Sequence, residues 1–275
     1  MTEAEKSSTG LSIWGFKVYV VCITIERVAV TLGYLKKMST YEKTKINRNM
    51  LDSDSVRRAV EQSGHSSIMI SEDELLESLN KTLLERPNNQ PIWIFGYGSL
   101  IWNPMLEYVE KQPAMIYGYH RGFYCWSRIN RGSPETPGLV LALDHGGSCH
   151  GLAYKLSAEK KTQELLILWR REMLGKVYTP KWVRTNTPQG VIHAITFVID
   201  RSSAAYTGKL DEDMIVSIAM KASGHYGSCS DYLIDTAESL RQENIQDAKI
   251  FRLARELLAR RGHSSNSKDY PTNNN

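Results

Sequence analysis

Hydrophobic positions change period along this chain, and the changes divide it. Residues 11–35 are largely apolar but broken by Lys17, Glu26 and Arg27. The uncharged run at residues 18–25 falls well short of the roughly 20 residues that span a bilayer. No small-residue cleavage site of a signal peptide follows the apolar core. Residues 1–49 therefore read as a poorly structured extension outside the functional domain, with Met38 and Met50 as alternative starts. From residue 50 the patterning becomes regular. Ser71-Glu72-Asp73-Glu74 is a capping box, followed by Leu75, Leu76, Leu79 and Leu83 at helical spacing and by Pro87 beyond the end.

Residues 92–95 form a short apolar, β-branched run bounded by Pro91 and Gly96, the signal of a buried strand. Further strands are expected at residues 114–117, 122–127, 138–143, 151–156 and 190–199. Turn clusters separate them at Asn130-Arg131-Gly132-Ser133-Pro134 and Asp144-His145-Gly146-Gly147. Short, closely spaced strands predict an antiparallel or mixed sheet able to curl into a barrel. A helical period takes over between Ser157, an expected N-cap, and Gly175. Asp211, Ser230 and Asp247 are expected to cap three more helices; the first is expected to end at Gly224 and the last at Gly262. The expected organisation is thus a single α+β domain over residues 50–263, with a disordered polar tail at 264–275.

Charge alters little in this picture. The formal net charge is +4, but eight of the 34 Lys+Arg and four of the 30 Asp+Glu lie in residues 1–49, so the remainder balances. The body carries no basic excess and gives no electrostatic case for nucleic acid. Mean hydropathy of −0.36 fits an ordinary globular chain. Cys22, Cys125, Cys149 and Cys229 contain no C-x-x-C pair and suit reduced structural thiols in the cytoplasm. His145, Cys149 and His150 match no standard zinc spacing, so no metal is expected.

Two features could carry chemistry. Gly96-Tyr97-Gly98-Ser99 breaks the first strand with two glycines two apart; it is either an ordinary tight turn or a loop whose bare N–H groups cradle an anion. Leu165, Leu168, Trp169 and Glu172 share one helix face at three- and four-residue steps, with Arg170 and Arg171 expected to point elsewhere. Glu172 is then either a helix-end acid paired with an arginine or a desolvated carboxylate with a raised pKa. Ser99 lacks the G-x-S-x-G elbow of a serine hydrolase, since Leu100-Ile101 follow it.

Phe95-Gly96-Tyr97-Gly98-Ser99-Leu100-Ile101-Trp102 resembles the signature loop of the ChaC family of glutathione-specific γ-glutamylcyclotransferases. Trp169-Arg170-Arg171-Glu172-Met173, with Tyr178 after it, is similar to that family's catalytic helix. Gly118-Tyr119-His120-Arg121, Trp126-Ser127, Arg131-Gly132, Pro137-Gly138, residues 146–154 and Cys229-Ser230-Asp231-Tyr232-Leu233 fit in the same order. The likeness covers about residues 72–258 and is nearest the bacterial branch. It departs at Leu139, where some relatives carry a basic residue, which leaves open how the glycyl end of the substrate is held.

The resemblance implies a γ-glutamylcyclotransferase-like fold, a mixed sheet or small barrel with packed helices. It implies a carbon–nitrogen lyase that converts glutathione to 5-oxoproline and cysteinylglycine, with no cofactor. Glu172 would be the general acid/base. Gly98, Ser99 and Leu100 would donate N–H groups, Tyr97 and Tyr178 would orient the γ-glutamyl group, and Ser127 and Arg131 would be further substrate contacts. The partner would be a small molecule alone, with neither nucleic acid nor membrane, and the enzyme a monomer or weak dimer. Two alternatives remain: a cyclotransferase for other γ-glutamyl amines or peptides, and a non-catalytic γ-glutamyl binding module.

Overall fold

The computed structural model describes residues 47–52, 55–62, 69–87 and 90–266, all within one compact unit. The expected extension up to residue 46 and the tail from 267 lie outside the described residues. Residues 47–49 do not stand apart from the body. Arg48 opens helix α1 (Arg48–Asp52), and its guanidinium makes a two-pronged contact, 2.7 and 2.8 Å, with the fully buried carboxylate of Glu164. Helix α2 (Ser55–Gln62) follows. Helix α3 (Glu72–Leu84) has the expected capping box, with Ser71 Oγ accepting from the Glu74 N–H and Glu74 reaching back to the Ser71 N–H.

Five strands form a closed barrel in the order β1-β3-β2-β4-β5, with β5 returning to pair in parallel with β1. They are β1 (Trp93–Gly96), β2 (Tyr108–Ser127), β3 (Gly138–Leu156), β4 (Tyr178–Thr187) and β5 (Gly190–Ile199). The apolar run of β1 has no polar face because both of its sides are covered. Trp93 and Phe95 join Ile116, Leu143, Val183 and Val198 inside the barrel, while Ile92 and Ile94 face the main core shared with the helices.

The structure corrects the strand expectations in two respects. The pairs 114–117/122–127 and 138–143/151–156 are each a single long strand, β2 and β3, paired antiparallel over almost their whole length. Asp144-His145-Gly146-Gly147 is not a turn. Gly146 and Gly147, at φ +97° and +71°, absorb an irregularity where the register steps from Tyr117↔Ser148 to Tyr119↔His145. Glycine therefore bends the ribbon here instead of ending it. The segment 178–187, expected as no element, is strand β4, paired with β5 from Tyr178↔Ile199 to Thr187↔Gly190. Cys149 is buried among the barrel residues while His145 and His150 are exposed, so this trio does not converge.

Short helix α4 (Ser99–Trp102) follows β1, and α5 (Lys161–Glu172) follows β3. Ser157 Oγ accepts the Lys160 N–H and closes a turn ahead of α5, so the helix starts later than expected and ends at Glu172, short of Gly175. Helix α6 (Glu212–Lys221) is capped by Asp211 as expected and ends before Ala222, short of Gly224. A small hairpin, β6 (Ser223–Gly224) and β7 (Gly227–Ser228), leads into α7 (Cys229–Gln242). Its cap is Ser228, not Ser230: Ser228 accepts from the Asp231 N–H, while Ser230 is buried and donates to Ala219 O. Helix α8 (Ala248–Asn266), begun by Asp247 Oδ1 accepting the Ile250 N–H, runs through Gly262 to residue 266.

Candidate active site

A cleft enclosing about 900 Å³ opens where the end of β1, helix α4 and the end of α5 meet. Tyr97, Gly98, Ser99, Leu100, Glu172 and Tyr178 all line it, so the glycine loop and the acid some seventy residues later come together. Helix α4 begins straight after Gly98, which leaves the Ser99 and Leu100 N–H groups without an intrahelical acceptor. Gly96 is tightly packed: a Cβ there would sit 3.0 Å from Leu100 Cβ and 3.1 Å from Tyr154 Cε2. Gly98 differs. Its φ is −137°, and a Cβ would meet Tyr232 Oη at 3.5 Å and Leu141 Cβ at 3.6 Å, ordinary contacts. The space around position 98 therefore admits a Cβ, and a methyl group there would project into the cleft.

Glu172 continues the buried stripe of Leu165, Leu168 and Trp169, with its side chain 16% exposed. Burial pushes its carboxyl above the ordinary glutamate range, and the neighbouring Arg171 guanidinium partly offsets this. The two alternatives for this residue thus coexist, since Glu172 is both ion-paired and desolvated. Arg171, expected to point away, turns into the cleft. Its Nε lies 3.1 Å from Glu172 Oε1, Nη2 donates to Ser99 Oγ at 2.8 Å, and Nη1 donates to Asn103 O. One guanidinium therefore ties the acid to the loop. Its position was readable in hindsight, since it lies three and four residues after the buried Leu168 and Ile167.

The expected tyrosines are present but largely committed to the fold. Tyr97 Oη donates to Phe197 O at 2.9 Å, and Tyr178 Oη makes a longer, 3.4 Å contact with Leu141 O. Burial raises both phenols well above their ordinary range, so each stays protonated. Tyr232, missed in the sequence, lines the same cleft from α7. Its Oη accepts the Leu141 N–H at 3.1 Å, which leaves its own proton free to be donated.

Arg131 and Ser127 part company. Arg131 lines the cleft, buried, with its guanidinium carbon 5.4 Å from the Tyr232 ring centre and 6.0 Å from that of Trp102. Its Nη1 is buried without a hydrogen-bond partner among the described residues. Among the described residues this buried cation is held by ring faces, an arrangement chemically suited to receiving an anion. Ser127 does not line this cleft; its Oγ accepts the Arg131 N–H at 2.9 Å and shapes the turn. That turn is clamped from β6–β7, where the His225 and Tyr226 N–H groups donate to Ile129 O and Asn130 O. Among the described residues no group of three or more His, Cys, Asp or Glu could hold a metal, and no helix is long and apolar enough to cross a membrane.

Comparison with known proteins converges on one family. The family model described as ChaC-like protein matches residues 92–260. The chain is 37% identical over 182 residues to a glutathione-specific γ-glutamylcyclotransferase of Escherichia coli K12, covering 66% of this chain and 79% of that one. It is 31% identical over 157 residues to glutathione-specific γ-glutamylcyclotransferase 1 of Homo sapiens, covering 55% and 71%. A crystal structure of a yeast γ-glutamyl cyclotransferase specific to glutathione superposes with a TM-score of 0.57 at 22% identity, over 62% of this chain and 97% of that one, which establishes the shared fold. The chain belongs to the ChaC-like protein family.

Proposed function

We propose that this chain is a glutathione-specific γ-glutamylcyclotransferase that releases 5-oxoproline and cysteinylglycine. The observation that carries the reading is the desolvated Glu172 carboxylate sharing one cleft with the Gly98-Ser99-Leu100 loop. The α-amine of the γ-glutamyl group attacks the carbonyl carbon of its own side-chain amide, closing a five-membered ring. Because the nucleophile is tethered, effective molarity is already high, and what the protein must supply is proton transfer and charge stabilisation. Glu172 takes a proton from the attacking amine and returns one to the leaving amine as its bond to the carbonyl carbon breaks. Its raised pKa makes it a stronger base than a free glutamate.

The loop N–H groups face the charge that develops on the carbonyl oxygen, each worth on the order of 3 kcal/mol at such a position. The Arg131 guanidinium receives the α-carboxylate, which supplies the counter-charge it lacks among the described residues. Tyr232 and Tyr178 fix the γ-glutamyl chain between them. The reaction consumes no water and needs neither metal nor organic cofactor. The reading extends to a cytoplasmic monomer or weak dimer that acts on a small molecule without nucleic acid or membrane. Its test is incubation with reduced glutathione and a panel of γ-glutamyl dipeptides, quantifying 5-oxoproline and free cysteinylglycine. Release from glutathione well above that from the dipeptides is expected, and no release from any of them would refute the activity.

A further inference from the structure

A second cavity of about 930 Å³, open to solvent, also has Glu172 in its wall. It shares Glu172, Arg171, Tyr178, Asn130 and Val140 with the first cleft, so the two cavities meet at the acid. Its walls are mostly apolar. Leu51, Val56 and Val60 come from α1 and α2, which precede the region 92–260 matched by the family model. Besides the shared Glu172, Arg171 and Asn130, and Ser127, the polar lining of this chamber includes Arg128, which makes no hydrogen bond or ion pair with any described residue. Arg128 and Arg131 lie three residues apart on one clamped turn and line different cavities, both of which Glu172 also lines. Two guanidinium groups without an ion-pair partner among the described residues, each lining a cavity that also contains Glu172, suit a substrate with a carboxylate at each end and the scissile amide between them.

We propose that the second chamber holds the leaving-amine half of the substrate, with Arg128 receiving its distal carboxylate and Leu51, Val56 and Val60 enclosing its side chain. The inference rests on the cyclotransferase reading and adds to it the subsite for the far half of the substrate, with the residue that reads its C-terminal carboxylate. It also answers how that terminus is held in a chain with Leu139 after Pro137-Gly138, since Leu139 is fully buried and carries no charge. Cys125, on the wall of the same chamber, does not compete as an acid, because burial pushes its thiol up to about 12.

The test compares glutathione with its glycinamide derivative, in which the terminal carboxylate is a neutral amide. Wild-type protein is expected to favour glutathione at least tenfold in kcat/KM, mostly through KM, and Arg128→Gln should bring the ratio close to one. An unchanged ratio in Arg128→Gln overturns the assignment. Calorimetry of both ligands on the Glu172→Gln protein, with and without Arg128→Gln, keeps this separate from the activity. If wild type releases no 5-oxoproline, the enzyme reading falls, while a tenfold binding preference that vanishes with Arg128 still supports the chamber. Val60→Phe, which narrows the chamber, should raise KM for glutathione at least threefold and leave that for γ-glutamylmethylamide unmoved. Equal effects on both substrates, or none on either, contradict the role of the N-terminal helices.

Discussion

Replacing Glu172 by Gln separates the chemistry of this site from its stability. The amide is nearly isosteric with the carboxylate, so Leu165, Leu168 and Trp169 keep their contacts, and Arg171 keeps its bonds to Ser99 Oγ and Asn103 O. What disappears is the proton acceptor and the charge. General acid/base catalysis contributes about 10²–10⁴-fold, so kcat should fall by at least about 100-fold, a barrier increase of roughly 2.7 kcal/mol. Stability should move the other way or hardly at all. The folded-state pKa of Glu172 is raised, so its neutral form is the one the fold favours. Its contribution is complete below the unfolded pKa and is lost as pH rises through the folded value. Once pH has passed the folded value, the wild type carries a desolvated charge that the amide lacks, partly offset by Arg171. The melting temperature of the variant relative to wild type should therefore rise between pH 4 and pH 8. Stopped assays of 5-oxoproline with parallel thermal melts across that range decide the matter. Retention of more than a tenth of wild-type turnover in a folded Glu172→Gln protein would refute the role assigned to the acid.

Arg171→Gln removes the charge that lowers the Glu172 pKa, so the acid limb of the kcat/KM profile should shift to higher pH; a shift to lower pH would contradict the ion pairing. Gly98→Ala should lose at least about tenfold in kcat/KM in protein that circular dichroism shows to be folded, as the methyl occupies the cleft without colliding with its walls. Gly132→Ala should destabilise strongly in circular-dichroism melts, since a Cβ there collides with the Gly138 backbone nitrogen. Arg48→Met strands the fully buried Glu164 carboxylate, which would keep only the Glu107 N–H. A cost of about 3 kcal/mol, near 6–10 °C in melting temperature, is expected from losing one partner of a buried pair. The double variant Arg48→Met/Glu164→Gln should recover most of it.

How much was legible before the fold was known varies with the range of the interaction. The capping box at Ser71 and the Asp211 cap were readable because a cap is satisfied within four residues of itself. The Ser157, Ser230 and Gly262 boundaries were misplaced for a complementary reason. Several residues nearby could cap or end those helices, and the β6–β7 hairpin, not local preference, set the start of α7 at Ser228. Strand β4 was missed because its polar residues Thr179, Lys181 and Arg184 hide a ladder that exists only through pairing with β5.

The sequence by itself determined the two halves of the site. Glycines at 96 and 98 after a buried strand mark a loop with bare N–H groups, and an acid at a three-residue step from Trp169 must leave water with it. Those signals are local, because burial of one face follows from the helical or strand period alone. Only the tertiary structure decided that Arg171 turns inward to join the acid to the loop, that Tyr232 completes the cleft, and that Arg128 and Arg131 line different cavities that share Glu172. A guanidinium on a turn or helix end can extend several ways at little local cost. Its direction is chosen by which partners the closed barrel and the packed helices bring within reach.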